Sequence, residues 1–353
     1  MKAYSIAIPG LIAVGLLVAS AGTAQDVLTT GSSSVPSYVR WERAGTLVSI
    51  RTDVDWPQGR ESGSAAYGSH LDPDPDVQLE PSIPNDPYLD RQWALKQIQM
   101  PQPYQFAPGS RKVLVAVLDT GVDGSHEDLT DRVVVTANFT SSPVADDIRG
   151  HGTHIAGIIA ANSNNGRGIA GVAPTSLIMS VKVADDSGKI QAAAAAKGII
   201  WAVKNGASVI NVSIEFEEPS ADLEYAVNYA WRQGVLVVAA AGNRGGQLPV
   251  YPAYYENCIA VAGLTWAGTL APLSNHGDWV DVVAPGFAIY STLPGNSYGY
   301  KSGTSFAAAH ISGLAALLFP VTSDTNSNGR VNDEVRAAIE AGWWQFDAVV
   351  SDT

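Results

Sequence analysis

Three residues in this chain carry side chains that chemistry could use, and each sits where an apolar run meets a run of small residues. They are Asp119 in VAVLDTGVD (115–123), His151 in GHGTHIAG (150–157) and Ser305 in SGTSFAAAHISG (302–313). A hydroxyl, an imidazole and a carboxylate are what acyl transfer through a covalent intermediate needs. The imidazole takes the hydroxyl proton and later gives it to the leaving group, while the carboxylate fixes the tautomer and stabilises the imidazolium. Asp before His before Ser is one of three chain orders in which that triad is known. Singly, each is weak evidence: an Asp after a strand is commonly a cap, and a GTS is commonly a loop. Gly150 and Gly152 allow close backbone approach around His151, and Ser305 opens a helix read over 305–319, whose N-terminal dipole favours negative charge.

The elements that must position these residues are legible as short β-branched runs. KVLVAVLD (112–119), LIMSVKV (177–183), ASVINVSI (207–214), GVLVVAAAG (234–242), CIAVAGL (258–264) and WVDVVAPG (279–286) read as buried strands. Helical patterns over 154–161, 191–205 and 221–233 fall between several of them. Such alternation predicts an α/β fold, a mostly parallel sheet with helices on both faces. Asp119 and Asn243 then fall at the carboxyl edge of the sheet, where such folds place their sites.

In this order and context the motifs resemble those of the subtilases, the subtilisin-like serine endopeptidases, with a texture closest to the thermitase-like branch. The resemblance runs from about Pro84 to Pro320. It implies a three-layer subtilisin-like fold, polypeptide substrates and a propeptide partner, with Asn243 as side-chain oxyanion donor beside the Ser305 N–H. It also implies two edge segments that hold substrate as an added strand. Here these read Ser187-Gly188-Lys189-Ile190 and Ser213-Ile214-Glu215-Phe216.

Both segments depart from the family, which has glycines where Ile190, Glu215 and Phe216 stand. Bulk there is expected to narrow the cleft. Glu215 or Glu218 could also select Arg or Lys before the scissile bond; the competing reading is a solvated acidic loop, Glu215 to Glu218. In the serine motif Phe306 replaces the usual Met, and Ala308-Ala309 replace a small residue and proline. His154 and His310 read as packing residues, and His70, His126 and His276 have no chemical context. GRGIAG (166–171) lacks the strand-turn-helix frame of a dinucleotide site, so no nucleotide cofactor is expected.

The resemblance further implies a structural Ca²⁺. Its side-chain ligands would be Asp86, Asp128 and Asn165, with backbone carbonyls of Asn162, Arg167 and Ile169 completing an oxygen shell; ordinary caps and turns are the alternative. DTNSNGRVNDEV (324–335) also has calcium-loop spacing, but its twelfth position is Val335, and a turn leading into a helix over 332–342 is the plainer reading.

Composition bounds the rest. In 353 residues, 46% hydrophobic and 16% charged, a large core is available, and a net charge of −13 argues against nucleic acid or anionic membrane as partners. The single cysteine, Cys258, lies in an apolar run and reads as an inert buried thiol. Lys2, the apolar stretch Ile6 to Ala21 and the small-residue exit SAGTAQ read as an export signal over 1–24, with a retained anchor as the alternative. Residues 25–80 read as a shortened or degenerate propeptide, or else a linker, with processing near Glu80. The catalytic domain is then 81–320, followed by a C-terminal helix and tail over 321–353. The whole reads as an exported, monomeric serine endopeptidase, released or held at the cell surface; the alternative is a cleft-occluded pseudoprotease that binds peptides or partner proteins with little turnover.

Overall fold

The computed structural model describes residues 40–43, 46–49, 84–98, 100 and 109–342. A hairpin of β1 (Arg40–Arg43) and β2 (Thr46–Ser49) comes first, in the segment read as propeptide. The segment read as an export signal, most of 25–80, the expected processing region near Glu80 and His70 lie outside the described residues, as does the tail beyond 342.

After the short helix α1 (Trp93–Gln97), seven strands form one parallel sheet. They are β3 (Leu114–Asp119), β4 (Val133–Asn138), β5 (Leu177–Lys182), β6 (Val209–Val212), β7 (Leu236–Ala240), β8 (Cys258–Leu264) and β9 (Val282–Pro285). Their spatial order is β4-β5-β3-β6-β7-β8-β9. The interleaved helices are α2 (His151–Ala160), α3 (Ala192–Lys204) and α4 (Ala221–Arg232), followed among the described residues by α5 (Thr304–Leu318) and α6 (Asn332–Gly342).

Alternate residues of β3 reveal the layers. Val115 and Val117 pack in one core with Ile155 and Ile159 of α2 and Ala308 and Ile311 of α5. Ala116 and Leu118 face the other core, with Ile199 of α3 and Leu223 of α4. Burying a side chain of this size contributes roughly 1.5–3 kcal/mol, so both faces of β3 exclude charge until its last residue, Asp119. The three-layer α/β arrangement is the one expected. Local signals agree: Ser220 caps α4 by accepting the Leu223 N–H, with Asp222 and Glu224 in the first turn and Arg232 in the last.

Two features were not anticipated. Edge strand β4, as long as β3 and β5, carries a register shift between Val133 and Val135. The hairpin of β10 (Ile289–Leu293) and β11 (Ser297–Lys301) turns through Gly295 and Asn296, both at positive φ, a turn chemistry that its Gly-Asn pair could have announced. Beyond the boundary drawn at 320, Val335 and Ile339 of α6 are fully buried in the same core as α2 and α5.

Candidate active site

The parallel sheet brings the carboxyl ends of β3, β6 and β7 to one edge, and the chemistry-bearing residues follow them. Asp119 ends β3 and is buried. His151 opens α2, and its Nδ1 lies 2.8 Å from both Asp119 Oδ1 and Oδ2. A carboxylate only accepts, so Nδ1 carries the proton and Nε2 is left as the basic nitrogen. Thr120 N–H also donates to Asp119 Oδ1, at 2.7 Å. Burial pulls the imidazole pKa down, but the Asp119 charge and hydrogen bond outweigh it and hold His151 above the usual range. Its side chain keeps 30% of its exposure, enough for a substrate to reach.

Gly152 makes this approach feasible, since a Cβ there would lie 2.0 Å from the Gly121 carbonyl oxygen and 3.1 Å from Asp119 Cβ. Asp147, which sequence reasoning missed, organises the junction. Its Oδ1 accepts from Thr120 Oγ1, Arg149 N and Gly150 N, and its Oδ2 accepts from Thr153 N and Oγ1. A carboxylate at the start of α2 also complements the helix dipole. Lys182, paired in register with Asp119, was missed too. It is fully buried and donates to Thr120 O at 2.6 Å and Asp146 O at 3.2 Å, with Asp186 Oδ1 3.0 Å away.

Ser305 lies in the first turn of α5 and is buried. The neighbouring Phe306 ring is 5.4 Å from the His151 ring, so the imidazole stands beside that turn. Asn243 follows β7, and its Oδ1 accepts from Thr304 N at 2.8 Å and Thr304 Oγ1 at 3.3 Å. The amide oxygen is thereby turned toward α5, and its NH₂ end is the one a ligand can use. Ser213 Oγ donates to Asn211 Oδ1 at 2.8 Å and lies 3.3 Å from the Ser305 carbonyl, tying the end of β6 to α5.

The two cleft segments are built as edges. Asp185 Oδ1 accepts from Ser187 N and Oγ and from Lys189 N, closing a turn through Gly188, and Ile190 bridges Ala184. Phe216 pairs antiparallel with Tyr251, exchanging both hydrogen bonds at 2.9 Å, and Ile214 is buried. Ile190 and Phe216, the bulk expected to crowd the cleft, are half-buried and pack in part against the α3/α4 core. Glu215 is paired with Arg244, another residue sequence reasoning missed, and Glu218 is exposed. Glu218 thus has the exposure of the acidic-loop reading, whereas Glu215, engaged by Arg244, is neither free in solvent nor free to reach a substrate side chain.

The remaining histidines do other work. Burial takes His154 down to about 3 and His310 down to about 4. His154 Nε2 donates to Gly299 O and His310 Nδ1 to Phe306 O, so both are neutral packing residues as expected. His126 does have a context: Nε2 donates to Ser297 O, and Nδ1 accepts the Asp128 N–H. Burial pushes the Cys258 thiol pKa up, leaving it inert.

At the opposite end of α2, Asp86 and Asp128 both reach the loop 162–169. Asp86 accepts from Asn164 N and Asn165 N. Asp128 accepts from Asn165 Nδ2, Ile169 N and Tyr298 Oη. Arg167 N donates to Asn165 Oδ1, and Asn162 Oδ1 accepts from Arg132 Nε. Burial raises the Asp86 pKa, and the Asp128 charge adds to the rise. Among the described residues no three His, Cys, Asp or Glu side chains converge as a metal site. The segment 85–92 is stitched to the same loop. Asn85 Oδ1 accepts from Gly166 N, Tyr88 N donates to Gly168 O, and the Gln92 amide exchanges both hydrogen bonds with Ala170. In the second loop, Asp324 accepts from Asn328 N and Gly329 N, and Asn326 and Asn328 donate to Asp333, a turn that leads into α6.

The subtilase family profile matches residues 110–340. The chain is 46% identical to thermitase of Thermoactinomyces vulgaris over 73% of this chain and 90% of that one. It is 45% identical to the thermophilic serine proteinase of Bacillus sp. (strain AK1), matching 73% of this chain and 63%, under two thirds, of that longer one. Among solved structures, proteases from Pseudoalteromonas arctica PAMC 21717 match with a TM-score of 0.67 and 31% identity, over 74% of this chain and 92% of that one. Fold, site edge and relatives together define a serine endopeptidase, a hydrolase of the three-layer α/β class. The chain belongs to the subtilase family, with its similarity on the thermitase-like side.

Proposed function

We propose that the chain is an exported serine endopeptidase that cleaves extended polypeptides through an acyl-enzyme on Ser305. The observation that carries this reading is His151 Nδ1 held by both oxygens of Asp119, with the ring beside the first turn of α5. His151 Nε2 accepts the Ser305 Oγ proton as the oxygen adds to the substrate carbonyl. The oxyanion takes hydrogen bonds from the Ser305 N–H and the Asn243 NH₂, at the N-terminus of α5. His151 then gives its proton to the leaving amine, and water repeats the cycle to free Ser305. A fluorophosphonate probe should label the purified protein, and the Ser305→Ala variant should stay unlabelled. Equal labelling of the two, or none of either, sinks the reading. The pseudoprotease alternative rests on the short propeptide segment and on bulk at Glu215, Phe216 and Ile190, of which Ile190 and Phe216 pack in part against the α3/α4 core.

The same reading makes the signal over 1–24 and the segment 25–80 a leader and a folding partner removed near Glu80, which leaves Asp86 on the mature chain. It also assigns a structural Ca²⁺ to Asp86, Asp128, Asn165 and the carbonyls of Asn162, Arg167 and Ile169. Two buried carboxylates beside one loop, with Asp86 destabilised as an anion by burial and by Asp128, suit a hard cation. The ion would supply charge compensation and loop rigidity and no step of the chemistry. Chelation with EDTA is expected to lower the melting temperature, and Asp128→Asn should abolish that shift; a scan in which EDTA changes nothing removes the metal from this account.

A further inference from the structure

Glu215 stands where the family has a glycine, yet its carboxylate does not lie loose in the cleft. Oε2 accepts the backbone N–H of Asn243 at 3.2 Å. Oε1 is 3.6 Å from Arg244 Nε, and Arg244 also pairs with Glu217. The preceding Gly242 has φ +99°, and a Cβ on it would lie 2.8 Å from Glu215 Oε2 and 2.5 Å from Asn275 Nδ2. The carboxylate is thus pressed against the backbone of the turn that carries Asn243. Other sides of that turn are held as well. Thr304 grips Asn243 Oδ1, the Asn275 N–H donates to Gly242 O, and Asn275 Oδ1 accepts the Arg244 N–H.

We propose that Glu215 is a positioning residue for the Asn243 amide: it holds the 242–244 turn against the substrate-binding edge, while Arg244 offsets its charge. This rests on the endopeptidase reading above. The offset matters because a lone carboxylate beside the oxyanion donors would oppose the charge they exist to stabilise. Glu215 and Arg244 keep 29% and 56% of their side-chain exposure, so their ion pair contributes little to stability. The consequence therefore falls on rate, where a displacement of about 1 Å in a donor is already costly.

The test compares kcat and KM on a peptide anilide for the full chain and for Glu215→Gln, Glu215→Ala, Asn243→Ala and the double variant Glu215→Ala/Asn243→Ala. Glu215→Ala is expected to lower kcat roughly tenfold at nearly constant KM, and Glu215→Gln, which keeps an acceptor, to restore most of it. In the Asn243→Ala background, Glu215→Ala should cost almost nothing more, because its effect runs through that side chain. Additive losses, a change confined to KM, or an altered Lys-against-Leu preference that persists without Asn243 would overturn the proposal alone. An unsubstituted chain without Ser305-dependent turnover would overturn the endopeptidase reading, and this proposal with it.

Discussion

Ser305→Ala and His151→Ala are each expected to lower kcat by roughly a million-fold, and the double variant by no more than either, the pattern known from subtilisin itself. In the proposed mechanism the two side chains act as one unit. Without Nε2 to take its proton, the Ser305 hydroxyl is a weak nucleophile at neutral pH; without the hydroxyl, the imidazole has no proton to receive. Residual turnover over the uncatalysed rate should survive if, as proposed, Asn243 and the first turn of α5 bind the developing oxyanion. Steady-state kinetics on one peptide substrate, with circular dichroism to show that the variants fold, decides the matter. Losses that multiply in the double variant would show that the residues work independently.

Asp119→Asn is expected to lower kcat by roughly ten-thousand-fold while leaving the backbone unchanged. An amide facing Nδ1 can present its NH₂, which favours the tautomer whose proton sits on Nε2, the wrong nitrogen for a base. The same substitution should move the acid limb of the kcat/KM profile. In the proposed mechanism activity requires neutral His151, whose pKa Asp119 holds above the usual imidazole range. In the parent chain, activity therefore falls as pH drops through a value above about 6.5. Removing the carboxylate leaves burial as the dominant influence, so the limb should shift to lower pH. A limb that stays in place would mean that another group controls the titration.

Much of this architecture was readable in the chain, because β3 and β5 to β9 are runs of Val, Ile, Leu and Ala that water excludes on both faces. Their ends mark the sheet edge, which is why Asp119 and Asn243 could be placed without coordinates. Partners joined only by the topology could not be read. Asp147 meets Thr120 across 27 residues, Lys182 meets the Thr120 carbonyl across 62, and Asn243 N–H meets Glu215 across 28. Each is a charge brought to the edge by a different strand or loop, and no local periodicity encodes such a meeting. The acidic run after Ser213 illustrates the cost of lacking that knowledge. Glu215 reads as solvated or aimed at substrate until Arg244 comes into view beside it.

The stitching of residues 85–92 to the loop 164–170 has a meaning in time as well as in space. Its hydrogen bonds join partners 78 to 81 positions apart, so they can form only when the chain between them is already in place. If these contacts form after the folding transition state, they leave the folding rate nearly untouched and slow unfolding instead. The segment would then act as a latch on the rate of opening. For an endopeptidase surrounded by copies of itself, each able to cut any chain that opens, that rate sets its lifetime.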